Sequence, residues 1–407
     1  MLCYMPAPIM AARVHLRPGH VQPVWAGHPW VFAQAIQKVE GAPATGELVT
    51  VLDPRGNVLG RGFYAPESAL SVRILLRGES LDTAVDRAFF VTRIRAADAM
   101  RAGVRCDDAG SETTGYRVVH AEGDALPGLI VDRFGDSLVV QFLSAGMHHR
   151  RSMILDALEE VFAPRTIWDR TPRTVEKTER FTPEPGLVRG KPSEELSFAE
   201  RGVRYRIPMD LAQKTGFYFD QRNLRRRVEE LSQGARVLDA YSYVGSFGLA
   251  AARGGAREVT SVDESALALQ VAATVARENG LSDRMTFACE DARLTMQNAR
   301  ASYDIVVCDP PRLSATKAGK RDALGHYEKL AELSCRAVKP GGLVVYCSCS
   351  AAIDLLALTR ALSLGALRAN VEARIVERQF QGEDHPVPAA FPEGLYLKAL
   401  VARVVPR

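Results

Sequence analysis

The chain has 407 residues, is 47% hydrophobic and 25% charged, and carries a net charge of +4. That length exceeds one compact core and predicts two or three domains of ordinary globular composition. No run of roughly 18 apolar residues occurs, which excludes a helical membrane span, and the mild positive charge permits a nucleic-acid partner without requiring one.

The start, "MLCYMPAPIM", lacks the charged region and long apolar stretch of a secretion signal. Seven cysteines occur with no C-x-x-C pair. They read as reduced thiols, so a cytoplasmic location is expected, and "CSC" supplies too few ligands for a metal.

In chain order, residues 12–78 hold short β-type runs such as "ELVTVLD" and "LSVRILL", separated by turn signals including "DPRGN". A small β-rich domain is predicted there. Residues 81–205 open with helical spacing over 81–104 and continue with strand-like "YRVVH", "GLIVDRF" and "SLVVQFL" and a helix in "RSMILDALEEVFA". A small α+β domain is predicted, with 171–195 as an exposed loop or hairpin. Residues 206–407 alternate strand and helix from "ARVLDAYS" to "LVVYCSCS", which predicts an α/β, doubly wound, parallel sheet. The last run, "GLYLKALVARVV", can add an antiparallel strand.

In such a sheet, ligands bind at the carboxyl ends of the strands. The first strand ends in Asp239, followed by Tyr243, Gly245 and Gly248, where glycines let a ligand approach the backbone. The second ends in Asp263, about two dozen residues on, placed to accept ribose hydroxyls. The third ends near Asp291, at an adenine position, and the fourth at Asp309 in "CDPPR". Each aspartate alone reads as a helix cap or a solvated loop residue. Four successive acids point instead to a ligand without phosphate, and S-adenosyl-L-methionine, with its cationic sulfonium, suits them better than a nicotinamide dinucleotide.

Pro310 and Pro311 stiffen the loop that presents Asp309, and with Arg312 they are candidate contacts for a planar base. Two reactions use such a loop. An exocyclic amine can be methylated directly, or carbon 5 of a pyrimidine can be methylated after a thiolate adds to carbon 6. Cys347 and Cys349, at the end of the next strand, are the candidate thiols, and residues two apart on a strand share a face. Cys308 reads as a buried strand thiol. The "RRR" run at 225–227 is either a solvated face or a phosphate contact.

The segments "GHPWVF", "AQKTGFYFDQRNLRR", "LDAYSYVGSFGLAA", "SVDES", "DPPR", "YCSCS" and "DHPV…FPEGLYLK" together resemble the ribosomal RNA large subunit methyltransferase I family, over nearly the whole chain. The resemblance implies a PUA domain at 12–78, a central domain at 81–205 and a class I methyltransferase domain at 206–407. It implies methylation of a large-subunit ribosomal RNA cytosine at carbon 5 from S-adenosylmethionine. It implies Cys349 as nucleophile with Asp309 beside it, Cys347 as an extra thiol, and Lys214, Thr215, Gly216 and Gln221 near the cofactor. No membrane partner is expected, and a homodimer is an open alternative. Trp30 and Phe32 read as core residues. Within enzymes the competing reading is an exocyclic-amine RNA methyltransferase; outside them it is a non-catalytic RNA-binding ribosome assembly factor.

Overall fold

The computed structural model describes residues 12–105, 112–212, 214–313 and 320–407. They divide into two compact units. One holds the chain up to Glu194, residues 214–217 and the late segment Asp384–Gly394; the other holds Glu195–Ala212, Tyr218–Glu383 and Leu395–Arg407.

In the first unit, a six-stranded sheet runs between Arg13 and Leu76. Alternating β-branched residues put Val14, Val49, Val51, Val72 and Ile74 into its core. The "DPRGN" turn closes as its residues require: Asp53 Oδ1 accepts the N–H groups of Arg55 and Asn57, each at 2.8 Å. A five-stranded sheet follows, in the order Gly186–Gly190, Thr166–Asp169, Ser137–Phe142, Leu129–Phe134, Gly115–His120. Its core takes Phe63, Leu75 and Leu76 from the first sheet beside Phe90, Phe142 and Leu155, so the two sheets share buried apolar surface.

The stretch 171–195 is less open than expected. Val175 and Phe181 are buried in this core, and Gly186–Gly190 pairs antiparallel with Thr166–Asp169. Trp30 packs edge-on against Phe391, centroids 4.5 Å apart, and donates Nε1–H to Glu122 at 2.9 Å. Phe32, by contrast, is 37% exposed. His385 is buried, with Nδ1 2.8 Å from Asp384 Oδ1, and Asp384 Oδ2 accepts the Arg117 N–H at 3.0 Å. These contacts make His385 part of the anchor of its own segment.

The second unit is built on a seven-stranded sheet. Its strands are β1 (Arg236–Ala240), β2 (Glu258–Asp263), β3 (Met285–Cys289), β4 (Tyr303–Cys308), β5 (Val338–Ser348), β6 (Val371–Gln379) and β7 (Lys398–Pro406). Their order is β3-β2-β1-β4-β5-β7-β6. The first five are parallel; β7 runs antiparallel to both β5 and β6. Near-continuous apolar runs such as "DIVVC" and "LVVYC" suit strands covered on both faces. The crossovers include α1 (Ser246–Arg253), α2 (Ala266–Glu278), α3 (Ala292–Ala299), α4 (Lys320–Ala337) and α5 (Leu355–Arg368). This is the doubly wound fold expected, with the antiparallel terminal strand. β6 is not among the strands expected from the sequence; its half-buried Val371, Ala373 and Ile375 pack against the core and alternate with exposed Glu372, Arg374 and Val376.

The "RRR" run is a solvated face only in part: Arg226 is exposed, Arg227 is half-buried and Arg225 is buried. Buried Arg225 clasps Glu200 at 2.5 and 2.7 Å, Arg226 pairs with Glu230 at 3.1 Å, and Arg227 pairs with Glu377 at 2.6 Å. Each guanidinium has a carboxylate of its own protein as partner.

Candidate cofactor and thiol site

The loop from β1 into α1 is shaped by residues that only a tight turn needs. Tyr241 and Tyr243 both have positive φ, 64° and 51°, a strained state for aromatic residues. Gly245 follows at φ +71°, and a Cβ on Gly248 would lie 2.4 Å from Ser261 Oγ. Larger residues at these glycines would fill the cradle.

Around this loop the acids take distinct places. Asp239, at the end of β1, is 1% exposed. Its Oδ2 accepts the Gly248 N–H at 2.8 Å, while Oδ1 has no hydrogen-bond partner among the described residues. Burial pushes this carboxyl up to about 7; the Gly248 N–H opposes that, and the charges of Asp309 and Asp263 add to it. Asp263, at the end of β2, accepts the N–H of Tyr243 at 2.8 Å and of Ser265 at 2.9 Å. Asp291 caps α3, accepting the Arg293 N–H, and its carboxylate is gripped by the Arg293 guanidinium at 2.6 Å, which holds it below the usual carboxylate range. Asp291, Pro310 and Pro311 line one cleft of about 210 Å³ together with Tyr241, Glu264 and Leu330.

Asp309 stands just past β4, where Gln221 Nε2 donates to its Oδ2 at 2.9 Å. Gln221 is buried, and among the described residues neither its Oε1 nor Ser242 Oγ has a hydrogen-bond partner. Pro310 is buried, whereas Pro311 and Arg312 are exposed. Buried polar atoms without partners at the carboxyl end of a sheet call for a polar guest. The orphaned oxygens of Asp239, Gln221 and Ser242, beside the glycine cradle, fit a cationic ligand free of phosphate.

Lys214, Thr215 and Gly216 group with the first unit. There Thr215 is buried, its Oγ1 without a hydrogen-bond partner among the described residues, and Gly216 has φ +147°. Gln213, which opens the quoted "QKTGFYFDQR" motif, lies outside the described residues.

The thiols separate by burial. Cys347 is fully buried within β5, opposite Ala399, and burial pushes its thiol well up. Cys308 is fully buried at the end of β4, and burial pushes it up to about 12. Cys349 lies one residue beyond β5 and is half-buried. Cys308 faces Tyr346 across parallel β4 and β5, so Asp309 and Cys349 stand at the carboxyl ends of neighbouring strands. Both act electrostatically on Tyr218, whose hydroxyl is raised chiefly by burial.

Lys398 was missed. It opens β7 opposite Ser348, is 4% exposed, and its Nζ donates to the carbonyls of Ser350 and Tyr396, each at 2.7 Å. The signal was available, since a lysine in the apolar run "LYLKALV" must find polar partners.

Residues 14–77 match the family model of a PUA-like domain, and residues 117–392 match that of an S-adenosylmethionine-dependent methyltransferase. The ribosomal RNA large subunit methyltransferase I of Shewanella amazonensis is 36% identical over 97% of this chain and 100% of its own length. That of Yersinia pestis is 34% identical over the same shares. Among solved structures, a methyltransferase complexed with SAH superposes with a TM-score of 0.81 at 18% identity, covering 97% of this chain and 100% of its own. A Streptococcus mutans methyltransferase gives 0.79 at 18% identity over the same shares. These structures establish the fold. S-adenosylmethionine is the cofactor, and full-length identity to the curated relatives places the chain in the ribosomal RNA large subunit methyltransferase I family.

Proposed function

We propose that the protein methylates a cytosine of large-subunit ribosomal RNA at carbon 5, through a covalent bond to Cys349. The ribosomal substrate follows from the names of the full-length relatives and from the PUA-like segment, a domain type that meets RNA through phosphates and shape. A cytoplasmic location belongs to the same reading. The observation that carries the chemistry is that Cys349, one residue past β5, is only half-buried, where Cys347 and Cys308 are enclosed.

In this reading Asp239, Tyr243, Gly245, Asp263 and Asp291 hold the cofactor. Bound S-adenosylmethionine supplies an electrophilic methyl group. The target cytosine is unpaired or flipped out of its helix. Asp309, oriented by Gln221, accepts the exocyclic N–H of the base, and Pro310, Pro311 and Arg312 border it. The Cys349 thiolate adds to carbon 6, and the electron pair of the 5,6 double bond makes carbon 5 nucleophilic. Carbon 5 takes the methyl group, then loses its proton to a base. The re-formed double bond expels the Cys349 thiolate.

The test is trapping. RNA carrying 5-fluorocytosine has no proton to lose at carbon 5, so the adduct accumulates and migrates with the protein on a denaturing gel. Cys349→Ser should give none. Methylation that proceeds with no trapped adduct from the parent protein would favour transfer to an exocyclic amine, and no transfer to ribosomal RNA at all would favour a binding role.

A further inference from the structure

We propose that Lys398 is the positioning residue of Cys349: its buried ammonium fixes the turn that carries the thiol and favours the thiolate over the thiol. The inference rests on the reading of Cys349 as nucleophile.

The turn is short. β5 ends at Ser348, and Ser350 accepts the Lys398 ammonium through its carbonyl at 2.7 Å. The Tyr396 carbonyl takes a second N–H at the same distance. Lys398 is thereby held on both sides, from the segment just before its own strand and from the turn one residue past Cys349. An ammonium has three N–H groups, and the third has no hydrogen-bond partner among the described residues. Opposition of Lys398 to Ser348 sets the charge at the level of the strand end, where the thiol is.

Burying an ammonium against two neutral carbonyls is costly, because carbonyls satisfy its N–H groups but leave its charge uncompensated. Burial lowers Lys398 to about 8, and the two charges that act against that lowering are Cys349 and Asp354. A neutral amide would clamp the turn without that cost. What the ammonium adds is a positive charge on the carbonyl of the residue that follows Cys349, beside a sulfur that must ionise to react. The groups that surround this pair include Asp354 toward Lys398, and toward Cys349 the Tyr218, Tyr327 and Cys347 side chains and, at the neighbouring strand end, Asp309, whose charge opposes the thiolate. Burial raises the tyrosines and Cys347, which stay neutral, and Lys398 supplies the positive charge that offsets Asp309.

The experiment reads the thiol directly. Iodoacetamide alkylation of the Cys349 peptide is followed by mass spectrometry from pH 5 to 10, in the full-length protein and in Lys398→Met, Lys398→Gln and Lys398→Arg. The parent protein should alkylate with a midpoint below that of a free thiol. Lys398→Met should react about tenfold more slowly at pH 7, a shift of about one unit. Lys398→Gln, which keeps a donor for the Ser350 carbonyl, should match Lys398→Met, and Lys398→Arg should restore much of the rate. S-adenosylhomocysteine affinity by calorimetry reports whether each variant holds its site, and the glutamine variant carries the comparison if the methionine variant does not. A parent midpoint at or above the free-thiol value overturns the proposal, as does an unshifted profile in the neutral variants. A lowered midpoint without a 5-fluorocytosine adduct leaves this inference standing and removes the covalent reading; an adduct with an unshifted thiol does the reverse.

Discussion

The side-chain amide of Gln221 donates to Oδ2 of Asp309 at 2.9 Å, linking the segment before β1 to the loop after β4. Gln221 is 4% exposed, so it cannot trade this bond for one to solvent. Its effect is orientational: it fixes the carboxylate proposed to face the base. Gln221→Leu should lower the single-turnover methyl-transfer rate by about tenfold to a hundredfold, the equivalent of a charged hydrogen bond of roughly 1.5–3 kcal/mol. Rates equal to the parent would mean that Asp309 needs no such orientation.

Two serine substitutions, two residues apart, should fail in different ways. Cys349→Ser removes a half-buried thiol from a turn, and should leave thermal stability near that of the parent while abolishing adduct formation. Cys347→Ser places a hydroxyl in a fully buried strand position opposite Ala399. It should cost about 1–3 kcal/mol of stability and keep most activity. Denaturant unfolding and trapping, measured on both, separate the cases. A stable Cys347→Ser protein that no longer traps RNA would move the nucleophile to Cys347.

Removal of residues 12–78 should destabilise what remains of the first unit. Phe63, Leu75 and Leu76 sit in the same core as Phe90 and Phe142, so the deletion uncovers apolar surface. The truncated protein should melt lower than the parent and bind an apolar dye. An unchanged melting temperature would show that the two sheets fold independently. RNA contact by this segment is better read from an exposed residue such as Trp25, which is 75% exposed, with Trp25→Ala in the full chain.

The strand ends could be read from sequence because period and punctuation agree there: a apolar run, an acid, then glycine or proline. Asp239, Asp263, Asp291 and Asp309 each stand at or just past a strand end for that reason. Long-range pairing left no such mark. Nothing near Arg225 in sequence names Glu200 as its partner, and the pairing depends on a hairpin, Glu195–Glu200 with Val203–Pro208, that packs there only in the fold. Lys398 is the intermediate case. Its apolar neighbours announce burial, but its partners Ser350 and Tyr396 are set by the register of β7 on β5.

Asp239 should give the protein a pH dependence that one substitution removes. In the folded state burial keeps this carboxyl protonated up to about pH 7, against an ordinary value of 3.8. Between those limits the folded state holds one more proton than the unfolded chain, so stability falls as pH rises. The slope from this group is about 1.4 kcal/mol per pH unit, and it vanishes above about pH 7. Asp239→Asn keeps the shape and cannot titrate. Its stability relative to the parent should therefore improve from pH 5 to pH 7 and then level off, as read by urea unfolding. Cofactor affinity should move the other way in the parent. A cationic ligand facing the unpartnered Oδ1 prefers the carboxylate, so S-adenosylmethionine binding should tighten up to about pH 7 and release a proton below it. Calorimetry in buffers of different ionisation enthalpy counts that proton. If Asp239→Asn retains both the stability slope and the proton release, the titrating group lies elsewhere and Asp239 does not face the cofactor.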